Sequence, residues 1–519
     1  MAYIPAAIIN RLYNRTSLRN TENGVCFSVK NRLGPVTLNG ISRLSLDGEL
    51  IDSSRVQLAV DAAEAVPLEA FCADAPADFP LGTELTFLLD VEPLGEQQHD
   101  IEICFATQSY GELKLSVRDH PRSARRDADA IPRDRSDDYS AAVIQQRQSF
   151  IESKSGTRLE HVSRYSIDPA VTRGNIEHFT GVAQVPLGFA GPLPVNGEHA
   201  RGEFYVPLAT SEGTLVASYN RGMKVLHRSG GVKCAVVGDA MQRAPVFIFE
   251  DASQARRFAD WVALNTDGIR AAAEATDRFV RLKHVDYCLS NKFAFLRFNF
   301  TTGDAGGQNM VGKATFAACN WILQAFDDFA IQRFYLESNF ATDKKASMIN
   351  MMRTRGKRVT AEAVVDREAL LEIMDADTEA LYEHSRVASI ASMLSGANNN
   401  GCHAANAITA MFLACGQDVA NVSESSVGLL YTELTPEKNL YMSITLPSLI
   451  VATIGGGTGL PTQRECLQAL DCYGVGKVYK FAEIVAATVL AGEISLAAAI
   501  SSLDWVSSHE QLGRNDPGR

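Results

Sequence analysis

Apolar and polar residues alternate in five short runs near the start of the chain, at residues 25–29, 56–60, 85–89, 101–105 and 113–117. A period of two over this length predicts strands with one buried face. Asn39-Gly40 and Asp47-Gly48 are turn dipeptides among these runs. Residues 1–118 therefore read as a small β-sandwich or barrel, an N-terminal β-rich domain. No catalytic constellation is visible in it, so a docking or regulatory unit is the expectation. Residues 119–140 are dense in Arg, Asp and Pro and nearly empty of large apolar side chains, as in a solvated linker.

From residue 139 the period lengthens to that of a helix. Residues 181–193 then carry three glycines and two prolines among apolar residues, which predicts a buried, tightly turned backbone. A strand is expected at 202–206 and a helix at 214–225. Glu212 lies just before that helix, either as a residue matched to the helix dipole or as a half-buried carboxyl suited to proton donation. Residues 245–340 read strand, helix, strand, strand, helix, strand. Phe258, Trp261 and Val262 mark one face of a helix over 253–275. This βαββαβ order is ferredoxin-like. Between its last strands and helices, residues 303–310 form a glycine loop. Backbone N–H groups there could approach an anion, or the glycines could simply serve a tight turn. No complete dinucleotide fingerprint is present.

Asp343, Lys344 and Lys345 sit between a short strand and a helix-like run, where a plain solvated charge cluster is less expected. Residues 346–420 read as mostly helical. His403 opens an apolar helix that ends at Cys415-Gly416-Gln417-Asp418. Asp418 lies beyond a helix C-terminus, where the dipole disfavours a carboxylate, so a cationic partner is expected, a lysine first. A strand at 440–445, a second glycine loop at 455–459 and an alanine-rich helix at 481–502 follow. His509 stands on a polar tail, as a plain exposed histidine or as a mobile proton carrier.

Composition narrows the classes. The 519 residues are 46% hydrophobic and 21% charged, ordinary for a globular protein of two to four domains. A net charge of −12 argues against general nucleic-acid binding but leaves room for anionic cofactors. The most apolar stretch, 484–503, contains Glu493 and reads as a buried helix, so no membrane span is expected. Residues 1–10 lack the basic flank of a secretory signal. Ten scattered cysteines without a CxxC pair favour a reducing cytoplasm, with Cys402 and Cys415 as small core residues and no metal site.

Taken together and in order, the motifs 181–193, Thr210-Ser211-Glu212-Gly213, 239–245, 303–310, Thr342-Asp343-Lys344-Lys345, His403-Ala404-Ala405-Asn406, Gly416-Gln417-Asp418, Gly455-Gly456-Gly457-Thr458 and Ser508-His509 resemble the 3-hydroxy-3-methylglutaryl-coenzyme A (HMG-CoA) reductase family in its soluble, bacterial-type form. The resemblance spans about residues 140–515 and leaves 1–118 unassigned. It implies an α+β fold, with a large domain (141–244 and 341–505) around a long central helix. A small nucleotide-binding domain (245–340) is inserted in it, and a flexible catalytic tail (506–519) follows.

The implied reaction is the four-electron reduction of HMG-CoA to mevalonate and coenzyme A by NADPH, with NADH as the alternative. A homodimer or larger assembly would carry the site at a subunit interface. Lys344 would hold the thioester oxygen, Asp418 would orient Lys344, Glu212 would act as acid and His509 would protonate the leaving thiolate. Arg243, Asp343, Lys345, Arg386, His403 and Asn406 would contact the substrate. Arg278, Asp304, Gly306, Gly307, Asn309, Met310, Gly455, Gly456 and Gly457 would contact the nucleotide. Four positions depart from the family pattern. Gly306 and Gln308 replace methionines, Glu337 stands at a serine position, and Arg386 at a lysine position. Another acyl thioester is the alternative substrate.

Overall fold

A computed structural model describes residues 9–32, 36–61, 63–71, 76–108, 110–122, 130–134 and 136–502. The chain forms two compact units. One comprises Met1–Asp129, Arg243–Phe298 and Gly312–Phe340, the other Ala130–Gln242, Asn299–Val311 and Ala341–Arg519. The architecture is mixed α and β with several antiparallel sheets.

In the first unit, Gly24–Lys30, Glu84–Leu89 and Val56–Val60 lie side by side in one sheet, and Gly111–Asp119, His99–Thr107 and Val36–Leu46 in another. Their inward residues share one core, in which Phe27 and Phe87 stack at 4.9 Å. Asp47-Gly48 does turn the chain between two strands. Asn39-Gly40 does not, for it lies inside the strand Val36–Leu46, where the register against His99–Thr107 shifts. Gly40 takes φ 144° there, so the glycine serves a bulge instead of a hairpin.

The same unit contains Val246–Ile248, flanked antiparallel by Phe293–Thr301 and Arg333–Tyr335. The helix expected over 253–275 is broken at Asn265 into Ala252–Leu264 and Thr266–Glu274. Asn265 turns its side chain onto the Trp261 carbonyl at 2.8 Å, competing with the next helical bond. The N-terminal region touches these elements at Arg11 and Tyr110. The Arg11 guanidinium lies 5.2 Å from the Tyr335 ring, and Gln324 donates to the Tyr110 hydroxyl at 2.8 Å.

The second unit is built on four antiparallel strands in the order Lys233–Arg243, Gly356–Val365, Leu440–Leu449 and Leu429–Leu434. Residues 346–420 are mostly helical as expected, and Gly356–Val365 is the strand that the expectation did not include. Val359, Ala361, Ala363 and Val365 are buried and alternate with Arg358, Thr360 and Glu362. The period is two, but half of its apolar side is alanine, too small to stand out along the sequence.

Against this sheet packs the helix Val478–Ser501, buried without a break from Phe481 to Ser495. Among the described residues it alone is long and apolar enough to cross a membrane, and it lies inside the unit. Its two carboxylates explain the location. Glu483 accepts from the backbone N–H groups of Glu198, His199 and Ala200 at 3.1, 2.9 and 2.6 Å. Glu493 accepts from Cys402, His403 and Ala404 at 2.8, 2.8 and 3.0 Å. Burial pushes the Glu493 carboxyl upward, against the three N–H bonds that favour its charge. The helix Leu215–Arg228 crosses the long helix at Gly222, where an added Cβ would stand 1.9 Å from the Ala491 carbonyl oxygen.

Two expectations fail in this unit. Residues 181–193 are not buried and tightly turned. Val185, Leu187 and Phe189 are exposed, and Leu187–Asn196 is a strand paired with Arg201–Ala209. The exposed run lines a cavity of about 920 Å³ with Tyr165, Phe179 and Leu460. Its glycines and prolines thus shape an open surface. Cys415 is buried as expected, but Cys402 is exposed, because its N–H is tied to Glu493 and its side chain is turned outward.

Candidate active site

Lys344 is placed by its backbone before its side chain. Its φ is 56°, the left-handed region that costs a non-glycine residue about 1 kcal/mol. Its N–H donates to Glu424 at 3.1 Å. Beside it, the Asp343 carboxylate pairs with the Arg355 guanidinium. Arg355 also donates to Glu424 at 3.4 Å and to the Gln242 carbonyl at 3.2 Å. Arg355 and Glu424 are both fully buried. The Lys345 ammonium folds back onto the Asp343 carbonyl at 3.1 Å.

The Lys344 ammonium meets Asp418 at 3.2 Å, the cationic partner expected beyond the helix end. Both side chains are 45% exposed, so an incoming ligand can reach the pair. Asp418 is itself fixed. Its other oxygen accepts from the Ala420 N–H at 3.0 Å. Gln417 exchanges two hydrogen bonds with Ala452, donating at 3.0 Å and accepting at 2.7 Å. Gly416 and Gly457 approach backbone to backbone, and an added Cβ on Gly457 would fall 2.7 Å from the Gly416 carbonyl oxygen. One member of the second glycine loop thus seats the Asp418 turn. Its companions Gly455 and Gly456 have nothing within 4 Å of an added Cβ and leave their backbone open.

His403 and Asn406 also meet. The ring Nδ1 of His403 lies 3.0 Å from the Asn406 amide nitrogen, and its Nε2 lies 3.3 Å from the Ser218 hydroxyl. With the amide as donor, Nδ1 must be the acceptor and Nε2 must carry the proton. The ring stacks on Tyr219 at 4.7 Å. Burial lowers the His403 pKa to about 4, so the ring is neutral near pH 7.

In the glycine loop, Gly307 takes φ 80° and sits where a Cβ would collide with Thr302. Gly306 is open, with only Ala452 at 4.0 Å from an added Cβ. Asn309 and Met310 lie in the first turn of the helix Gln308–Ala325. The Asp304 carboxylate is engaged elsewhere, accepting from the N–H groups of Gly476, Lys477 and Val478 at 2.9, 3.0 and 3.1 Å. It caps the long helix of the core.

Glu212 is exposed, not half-buried, and takes no part in the Lys344–Asp418 pair. Arg386 lies 5.8 Å from the Tyr382 ring on the helix Thr378–Ser395. In the first unit, Arg243 pairs with Glu337 at 3.3 Å and Arg278 lies over the Phe279 ring. His509 and the rest of the tail fall outside the described residues. The sequence reading missed Arg355, Asn421 and Glu424. Buried charges carry no pattern of their own in a sequence, and the spacing of these three offers none.

The family model "Hydroxymethylglutaryl-coenzyme A reductase" matches residues 143–514. A second, "Hydroxymethylglutaryl-CoA reductase, N-terminal domain", matches 8–121, so the family extends over the β-rich region that the motifs left unassigned. The chain is 43% identical over 375 residues to the 3-hydroxy-3-methylglutaryl-coenzyme A reductase of Methanothermobacter thermautotrophicus, covering 72% of this chain and 94% of that one. It is 43% identical over 376 residues to the enzyme of that name from Pyrococcus abyssi, covering 71% and 92%. Among solved structures, a reductase from Streptococcus pneumoniae shares the fold with a TM-score of 0.51 at 19% identity, covering 69% of this chain and 96% of that one. Another, a class II enzyme from the same organism described as bound to NADPH in open conformations, aligns with the same score and identity over 69% and 97%. These matches put the chain among the oxidoreductases. It belongs to the hydroxymethylglutaryl-coenzyme A reductase family.

Proposed function

We propose that this enzyme reduces HMG-CoA to mevalonate and coenzyme A with two equivalents of NADPH. The observation that carries the reading is the accessible Lys344–Asp418 pair, held on a left-handed backbone beside open glycines. NADPH supplies the hydride in each of the two reductions. The open backbone at Gly306, Gly455 and Gly456 and the helix start at Asn309 and Met310 fit an anionic dinucleotide. We read 245–340 as an inserted nucleotide-binding domain, with Arg278 as a cofactor contact.

Lys344 stabilises the charge that builds on the thioester oxygen as hydride adds to its carbon. Asp418 keeps the ammonium aimed at that oxygen. Collapse of the resulting adduct releases coenzyme A thiolate, which His509 protonates. Glu212 gives a proton to the aldehyde oxygen in the second reduction. Arg243, Asp343, Lys345, Arg386 and Asn406 contact the acyl group and coenzyme A. His403 orders Asn406 from beneath.

Glu212 is exposed and the ion pair of Lys344 is with Asp418, and we read the site as completed by a second copy. Val387, Ile390 and Leu394 form an exposed apolar row on the helix Thr378–Ser395, as a homodimer contact would use. The enzyme works in the cytoplasm in this reading. Steady-state turnover of HMG-CoA with each nicotinamide cofactor tests it. NADPH oxidation at two equivalents per coenzyme A released is the expected result, and no turnover with either cofactor would remove the reading.

A second reading has one observation in its favour. Glu337 already occupies Arg243, so a substrate carboxylate must share that guanidinium. If a different acyl thioester is the substrate, a non-carboxylate acyl-CoA will be reduced faster than HMG-CoA by the same preparation.

A further inference from the structure

The segment Asp418–Glu424 holds Lys344 at both ends. Asp418 at its start takes the ammonium at 3.2 Å, and Glu424 at its end takes the backbone N–H at 3.1 Å. The Glu424 carboxylate is fully buried and crowded with donors. One oxygen accepts from Lys344, from Arg355 and from the Asn421 amide at 3.0 Å, and the other accepts from the Ser423 hydroxyl at 3.0 Å. Arg355, anchored on Glu424, reaches on to Asp343. Both residues of the Asp343-Lys344 step therefore depend on this one carboxylate.

Asn421 links the same segment to the glycine loop. It is fully buried, and its carbonyl oxygen accepts from the Gln308 amide at 2.6 Å. Gln308 follows directly on Gly307 and opens the helix Gln308–Ala325. An unbroken polar chain thus runs from Gln308 through Asn421 and Glu424 to the Lys344 backbone. Every group in it beyond Gln308 and Lys344 is shielded from water, so no solvent molecule can replace a lost partner cheaply.

We propose that Glu424 is a positioning residue for Lys344, and that Gln308 and Asn421 make this positioning respond to the occupant of the glycine loop. The occupant's chemistry is that of an anionic dinucleotide, and this inference rests on the role of Lys344 given above. A bound pyrophosphate fixes the loop backbone, holds Gln308 on Asn421 and, through Glu424, keeps Lys344 in the left-handed conformation it has here. The lysine is then in place when a hydride donor is present. Gln308 acquires a purpose in this way. It stands where the resemblance leads one to expect a methionine, and its amide serves Asn421.

The test uses the full chain and three variants. Glu424→Gln keeps an acceptor for the Lys344 N–H but removes the charge facing Arg355. It should lower kcat about tenfold or more while KM for HMG-CoA stays within about twofold, because the lost placement concerns the reacting oxygen. Glu424→Asp should recover part of that loss. Should Glu424→Gln not fold, Gln308→Leu, at a half-buried position, still decides the question. It should lower kcat several-fold and weaken NADPH binding, read by titration of cofactor fluorescence in the absence of substrate.

In the double variant Gln308→Leu/Glu424→Gln the combined loss in kcat should be smaller than the product of the two single losses. A merely structural role predicts independent, multiplying losses and unchanged NADPH binding, and that result overturns the coupling. Lys344→Ala separates the two levels of the argument. If it abolishes turnover while Gln308→Leu and Glu424→Gln stay within twofold of the parent, the coupling alone is wrong. If Lys344→Ala keeps normal turnover, the role of Lys344 falls first.

Discussion

Two ion pairs of the same unit make an instructive contrast. Lys344–Asp418 is half exposed, and Arg355–Glu424 is sealed from solvent. The exposed pair is screened by water and contributes little to stability, so its value lies in availability to a ligand. The sealed pair has no access to any ligand, and removing either member strands a buried charge. One pair presents charge and the other holds its presenter in place. An active site needs both, and only the first resembles a site on inspection.

The contrast can be broken or sharpened by substitution. The largest expected effect is that of Arg355→Ala, which should cost about 3–5 kcal/mol of stability by leaving Glu424 uncompensated. A shifted midpoint in urea unfolding measures it, and an unshifted midpoint would show that the sealed pair is dispensable. Next comes Lys344→Ala, expected to reduce turnover about 10²-fold or more, near 2.7 kcal/mol, at an unchanged unfolding midpoint. Loss of stability without loss of turnover would reverse the two roles.

A pH-linked effect of intermediate size belongs to His403. Its native pKa of about 4 lies below the usual value near 6.5 for an unfolded chain. The unfolded state then binds the extra proton, so this histidine's contribution is complete above pH 6.5 and is lost as pH falls toward 4. Between pH 7 and 5 the loss amounts to about 2 kcal/mol. Glu493, whose carboxyl is raised, works in the opposite sense and favours the fold as pH falls. His403→Gln should therefore flatten the acid limb of the stability profile, and an equally steep limb would dismiss the buried neutral ring. The smallest effect is that of Gly457→Ala. Its methyl group must displace the Gly416 carbonyl and with it Asp418. Turnover should fall a few-fold, about 1 kcal/mol, with KM for HMG-CoA little changed. Full activity would mean that the Asp418 turn does not depend on this contact.

Much of this was legible from residue pattern alone. Alternation located five strands of the first unit but not Val36–Leu46, helical spacing located most helices, and the helix end at Gly416 pointed to a cation for Asp418. Much of what stayed hidden has one physical cause. Glu424, Glu483, Glu493 and Asp304 are all carboxylates whose partners are backbone N–H groups or buried side chains distant in the chain. A carboxylate along a sequence looks the same whether it faces water or caps a loop. The strand Gly356–Val365 was obscured by its alanines, and Asn39-Gly40 by serving a bulge with the residues that also make a turn.

The long helix Val478–Ser501 has a consequence for how the protein comes to be made. Glu483 closes a loop 283–285 residues earlier in the chain, and Glu493 closes one 89–91 residues earlier. As the ribosome delivers the chain, the second unit waits without its core until the turns of Val478–Ser501 emerge. Until then the sheet face reserved for the helix is open to other nascent chains. Truncation a few residues before Val478 would not yield a smaller enzyme but a polypeptide with an unfilled interior. For this half of the molecule, folding waits on one late helix.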